Sequence, residues 1–148
     1  FWDADVAAAP DAAWMLLRYN VDIVGGAYPL KDGSGKFPVK GLQQGAGLFQ
    51  VTALPTGFLR IQRDVFSRIA DDGASAELSL DGQQVRIFFE RAQTETGERI
   101  GGDTAFCLKA LAAGFKIYCD PDLMFTHQGT VDFAGRLSDH LNKSEAAQ

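Results

Sequence analysis

Phe1-Trp2-Asp3-Ala4-Asp5-Val6 carries two carboxylates one residue apart, set between aromatic and aliphatic neighbours. An Asp-x-Asp at the end of a strand brings both carboxylates within reach of one divalent metal. Asp is frequent here, fourteen of 148 residues, so about one such triplet arises by chance. A second does occur, at Asp120-Pro121-Asp122. The first gains weight from two segments downstream. One is Gly101-Gly102-Asp103-Thr104-Ala105-Phe106-Cys107; the other is Phe125-Thr126-His127-Gln128-Gly129.

Around these segments the composition is that of one ordinary domain. The chain is long enough to bury a core, with 46% hydrophobic and 22% charged residues. A net charge of −5 argues against nucleic acid as a partner, since phosphates need a basic stripe. Lys and Arg are scattered, with no polybasic cluster for a membrane surface. No apolar run approaches bilayer length. Cys107 and Cys119 are too few for a disulfide framework, and their apolar surroundings favour two buried free thiols, as expected in the cytoplasm.

The pattern of apolar and turn-forming residues predicts mixed α and β elements without strict alternation. Residues 7–18 read as a helix with Pro10 in its first turn. Strands are expected over 21–27, 48–53 and 57–62, and a helix over 64–70 capped by Asp64. The segment 31–47, rich in glycine, reads as a loop or loose hairpin. Residues 76–80 and 84–89 read as a hairpin turning at Asp81-Gly82, and 93–102 as a flexible loop. A helix over 103–113 ends at Gly114. Strands follow over 115–119 and 123–126, then a tail helix over 132–148 that frays after Lys143. Gly25-Gly26 lacks the spacing and following helix of a dinucleotide fingerprint.

Four segments in this order resemble a glycosyltransferase of the GT-A fold, in the broad family 2 group. They are Phe1–Val6, Asp22–Lys31, Leu54–Phe66, and the stretch from Gly102-Asp103 through Gly114–Tyr118 and Asp120-Pro121 to His127-Gln128-Gly129. The resemblance covers roughly residues 1–130. It implies an α/β fold, a partial GT-A-like mixed sheet flanked by helices. It also implies a single domain, 1–148, that is the C-terminal portion of a catalytic domain without its N-terminal nucleotide-binding strands, and so of little activity by itself. One feature departs from the family: Gly102 stands where an acid usually precedes Asp103. Restoring the acid by Gly102→Glu is expected to separate a degenerate site from a working one.

The activity implied is transfer of a sugar from a UDP- or GDP-sugar donor to the hydroxyl of a glycan or other acceptor, inverting in the family's manner. Such a transfer must expel a diphosphate whose negative charge grows in the transition state, and a divalent cation offsets it. Asp3, Asp5 and His127 are the implied ligands for Mn²⁺ or Mg²⁺, the imidazole shifting preference towards Mn²⁺. Asp5 is the more direct ligand and Asp3 reaches the ribose or a bound water; otherwise both simply cap the helix expected next. Asp103 is the implied catalytic base, or an N-cap. Lys31 either meets a phosphate or is a solvated loop lysine. Thr56, Gly57 and Phe58 line the acceptor side, and Trp2 or Phe58 either stacks on a sugar face or belongs to the core. His140 is expected to be solvated, and Phe88-Phe89 to belong to the core. Two other classes stay open: a nucleotidyltransferase of similar fold, and a non-catalytic module that binds a glycan or partner.

Overall fold

The computed structural model describes residues 1–145. In chain order the elements are β1 (Val6–Ala8), α1 (Ala12–Arg18), β2 (Ile23–Gly26), β3 (Phe49–Val51), β4 (Leu59–Ile61) and α2 (Arg63–Asp71). Next come β5 (Ala76–Leu80), β6 (Gln83–Ile87), β7 (Ala92–Gln93), β8 (Arg99–Ile100) and α3 (Gly102–Ala112). The chain closes with β9 (Ile117–Asp120), β10 (Phe125–Gln128), β11 (Asp132–Gly135) and α4 (Leu137–Glu145). The class is mixed α/β, and no helix among the described residues is long and apolar enough to cross a membrane.

A four-stranded sheet ordered β3-β9-β2-β4 forms the centre, with β2 and β9 parallel and both outer pairs antiparallel. Residues 1–3 extend it past β4. The Leu59 N–H donates to the Phe1 carbonyl at 3.0 Å, and the Asp3 N–H to the Gly57 carbonyl at 2.9 Å. All four residues of β2 are buried, because the sheet is covered on both faces. Successive side chains point to opposite sides. Ile23 enters a core with Val65 and Ile69 of α2, Phe106 and Ala110 of α3 and Leu137 of α4. Val24 enters a second core with Ala12 and Leu16 of α1, Val6 of β1 and Phe125 of β10. Full burial of each aliphatic side chain is worth about 1.5–3 kcal/mol, so these two clusters hold the layers together.

The second sheet, β1-β10-β11, is antiparallel and corrects two expectations. Residues 7–18 are not one helix: Val6–Ala8 is a strand, Pro10 lies in the turn after it, and the helix starts at Ala12. The tail likewise opens as a strand, Asp132–Gly135, before α4. That helix runs on through Lys143 to Glu145, and the end of the expected 132–148 tail lies outside the described residues. Smaller corrections concern 93–102, which holds most of the β7–β8 hairpin, and Asp64. Asp64 sits inside the first turn of α2 behind the N-cap Gln62, with no side-chain cap bond.

Other expectations hold. The β5–β6 hairpin turns at Asp81-Gly82 with φ of 49° and 78°, both left-handed, as the tight primed turn requires. At the end of α3 the Phe115 N–H donates to the Ala110 carbonyl and the Gly114 N–H to that of Leu111, both at 3.0 Å. This is the paired closure of a Schellman motif. Cys107 and Cys119 are buried and unpaired. Phe88 and Phe89 pack against the first core.

Candidate functional site

Strand register brings two of the predicted residues, Asp5 and His127, together. β1 pairs with β10 so that Val6 lies opposite His127, and the Gln128 N–H donates to the Asp5 carbonyl at 2.8 Å. Asp5 sits in the turn just before β1, closed by the Val6 N–H donating to the Asp3 carbonyl at 3.2 Å. No helix follows directly, so the two carboxylates are not helix caps. Asp5 Oδ2 lies 3.7 Å from His127 Nε2 and 2.6 Å from Lys31 Nζ. The Lys31 ammonium, through its hydrogen bond, holds the Asp5 carboxyl below the ordinary carboxylate range.

His127 is oriented from behind. Its Nδ1 lies 2.8 Å from the Pro29 carbonyl oxygen. A carbonyl can only accept, so Nδ1 carries hydrogen, and in the neutral ring the Nε2 lone pair faces Asp5. A main-chain partner on the far nitrogen is the usual way a ligating imidazole is fixed. The donor set, one carboxylate oxygen and one imidazole nitrogen, suits a divalent cation of the Mn²⁺ class. The 3.7 Å gap is within the roughly 4 Å that one ion bonded at about 2.1 Å to each could bridge. Asp3 does not complete the set: among the described residues no three His, Cys, Asp or Glu side chains group to hold a metal. Any further ligands would have to come from elsewhere.

Tyr28 is the residue that sequence reading passed over. It is only 8% exposed, and its ring meets that of His127 edge-on at 4.7 Å. Its hydroxyl accepts the Gly57 N–H at 3.2 Å. Burial pushes the hydroxyl up to about 12; the Gly57 bond opposes the rise, and the charges of Asp3, Asp103 and Asp5 add to it. Tyr28 thus joins the His127 ring to the Gly57 backbone through one ring contact and one hydrogen bond. A lone Tyr before Pro29 has no motif, and only the lie of β2 beside β4 could have revealed it.

The acceptor-side residues divide. Gly57 is required where it stands, since a Cβ there would lie 2.4 Å from Tyr28 Oη. Thr56 precedes it, half-buried. Phe58 is 2% exposed and packs against Trp2 and Phe125 at 5.0 and 5.1 Å; its ring belongs to the second core. Trp2 is exposed, with its Nε1–H bonded to the Val6 carbonyl at 2.6 Å. That bond leaves a fixed indole face on the surface.

Asp103 is the second residue of α3. The N-cap is Gly101, and no side-chain cap bond is made, which leaves the Asp103 carboxylate available. Gly102 has a packing cause. A Cβ there would lie 2.1 Å from the Phe89 carbonyl oxygen, so the expectation that an acid could be restored at 102 does not hold.

The second Asp-x-Asp is structural. Asp120 is 4% exposed; its Oδ2 accepts the Tyr19 hydroxyl at 2.7 Å and its Oδ1 the Asp122 N–H at 3.0 Å. His140 is half-buried with its ring 5.5 Å from Phe37, rather than simply solvated. No family model, curated protein or solved structure matches the chain.

Proposed function

We propose that this chain is the metal- and acceptor-binding part of a glycosyltransferase of GT-A type, moving a sugar from a nucleotide donor to an acceptor hydroxyl with inversion. The observation that carries the proposal is the meeting of Asp5, His127 and Lys31, which are far apart in sequence, at one point between β1, β10 and the loop after β2. The resemblance of the four sequence segments supports the same reading.

Asp5 and His127 would hold Mn²⁺ or Mg²⁺, which when bound offsets the negative charge gathering on the departing diphosphate. Lys31 adds a point charge for a phosphate oxygen. The acceptor hydroxyl oxygen bonds to the anomeric carbon as the bond from that carbon to the diphosphate oxygen breaks. Asp103 takes the hydroxyl proton as the new bond forms. Tyr28, its hydroxyl tied to Gly57, braces the His127 ring edge-on, and the Trp2 indole offers a flat apolar surface to a sugar ring. Asp3 stands beside Asp5 and reaches the donor ribose or a bound water.

A non-catalytic glycan-binding module is the second reading, favoured by the two-residue rather than three-residue ligand set among the described residues. Calorimetric titration of Mn²⁺ in the presence of UDP tests the metal site. One-site binding is expected, weakened about ten-fold or more by Asp5→Ala and by His127→Ala, in line with loss of a metal contact. Unaltered binding in both variants would sink the proposal.

A further inference from the structure

Lys31 occupies the atom that a metal would need. Its ammonium donates to Asp5 Oδ2 at 2.6 Å, and His127 Nε2 lies 3.7 Å from that same oxygen. A divalent cation held by Asp5 and His127 would sit against the ammonium, and like charges that close repel even through water. The oxygen of Asp5 nearest His127 therefore faces two candidate cations that repel each other.

The geometry lets the lysine leave. Its side chain is 34% exposed and starts the loop 31–47, which holds no strand or helix. Its stem runs past Gly129, where an added Cβ would come to 3.4 Å from it. An ammonium that leaves its carboxylate needs another anion close by. A cation on two protein ligands also has coordination positions that oxygens of a bound phosphate commonly fill. One diphosphate meets both needs, taking Lys31 on one oxygen and the cation on others.

We propose that Lys31 is a resident counter-ion of Asp5 that is handed over to the incoming diphosphate, so that the site takes cation and nucleoside diphosphate together and each alone poorly. The identity of the anion rests on the glycosyltransferase reading; the competition at Asp5 does not. Because binding coupling is reciprocal, whatever factor the diphosphate adds to cation affinity the cation adds to diphosphate affinity.

Lys31→Met tests this, since it keeps the stem and removes the charge. Mn²⁺ alone and UDP alone are each titrated into the chain and the variant. Mn²⁺ alone should bind Lys31→Met about ten-fold tighter, within the ordinary range of coupled binding. UDP alone should bind it about ten-fold more weakly. A thermal midpoint unchanged by the substitution, as expected for an exposed pair, shows that folding is not the cause. Equal or weaker Mn²⁺ affinity in the variant overturns the competition, and unchanged UDP affinity overturns the hand-over. If Mn²⁺ with UDP binds the unaltered chain but Lys31→Met gains nothing, only this inference fails. If Mn²⁺ binds neither protein under any condition, the metal-site reading falls with it.

Discussion

At position 102 a hydrogen atom is all that fits. The Phe89 carbonyl oxygen stands 2.1 Å from where a Cβ would be, and backbone cannot rotate away as a side-chain tip could. Gly102→Glu should therefore give no gain of activity. Gly102→Ala should cost about 1–3 kcal/mol, the ordinary range for overpacking, read as a lowered urea midpoint; an unchanged midpoint would mean that Phe89 yields freely. The same logic separates the site residues that sequence could name from those it could not. Asp5, Asp103 and His127 have side chains whose chemistry is visible in their letters. Tyr28 matters through one hydrogen bond to Gly57, which does not show until β2 and β4 lie side by side; Gly57 was named, but not the close approach of Tyr28 that leaves no room for its Cβ. Phe58 is the converse case: its letter suits a sugar face or the core equally, and its position in the second core decides between them.

Among the elements, the two misread segments share one cause. Ala-rich residues near the start of the chain favour helix by intrinsic propensity, and the segment after Val131 reads polar and helical. Both are strands because β10 has two edges, and β1 and β11 fill them. Pairing across the whole chain length outweighs a preference of a few tenths of a kcal/mol per residue. The β5–β6 hairpin, by contrast, was legible in full, because its turn residues and its pairing are local. It is also the element least tied to the rest. Every residue of β5 and β6 except Ile87 is exposed, Leu78 and Leu80 included, and an isolated two-stranded hairpin is marginally stable. Its amides should lose hydrogen-exchange protection at far lower free energy than those of β2. Gly82→Ala, which forces a Cβ onto a φ of 78°, should speed that exchange while shifting the global unfolding midpoint by no more than about 0.5 kcal/mol. Equal protection in the hairpin and β2 would refute its independence.

For the molecule as a whole, alkali is the condition that its buried groups resist least. Cys119 lies in the first core, and burial pushes its thiol from 9.0 up to about 12. Burial, then the Asp120 hydrogen bond, raises Tyr19 to about 12, and burial does the same for Tyr28. The folded thiol keeps its proton between about pH 9 and 12 while the unfolded thiol has lost it. The folded state then binds more protons, so stability present below pH 9 falls as pH rises. For Cys119 the slope is about 1.4 kcal/mol per pH unit through that window. Urea midpoints measured across it should fall steeply for the unaltered chain and less steeply for Cys119→Ala; parallel curves would count against the buried-thiol contribution. By itself the sequence determined what could be settled by neighbours along the chain: the mixed α/β class, the hairpin turn, the closure of α3 at Gly114, and which residue types could hold a cation or accept a proton. Only the tertiary structure decided that Asp5, Lys31 and His127 meet, that Asp120 is a structural carboxylate and that Gly102 is a packing glycine. Those depend on which strands lie side by side and in what register, and register is fixed by burial of both sheet faces at once, a property of no single segment.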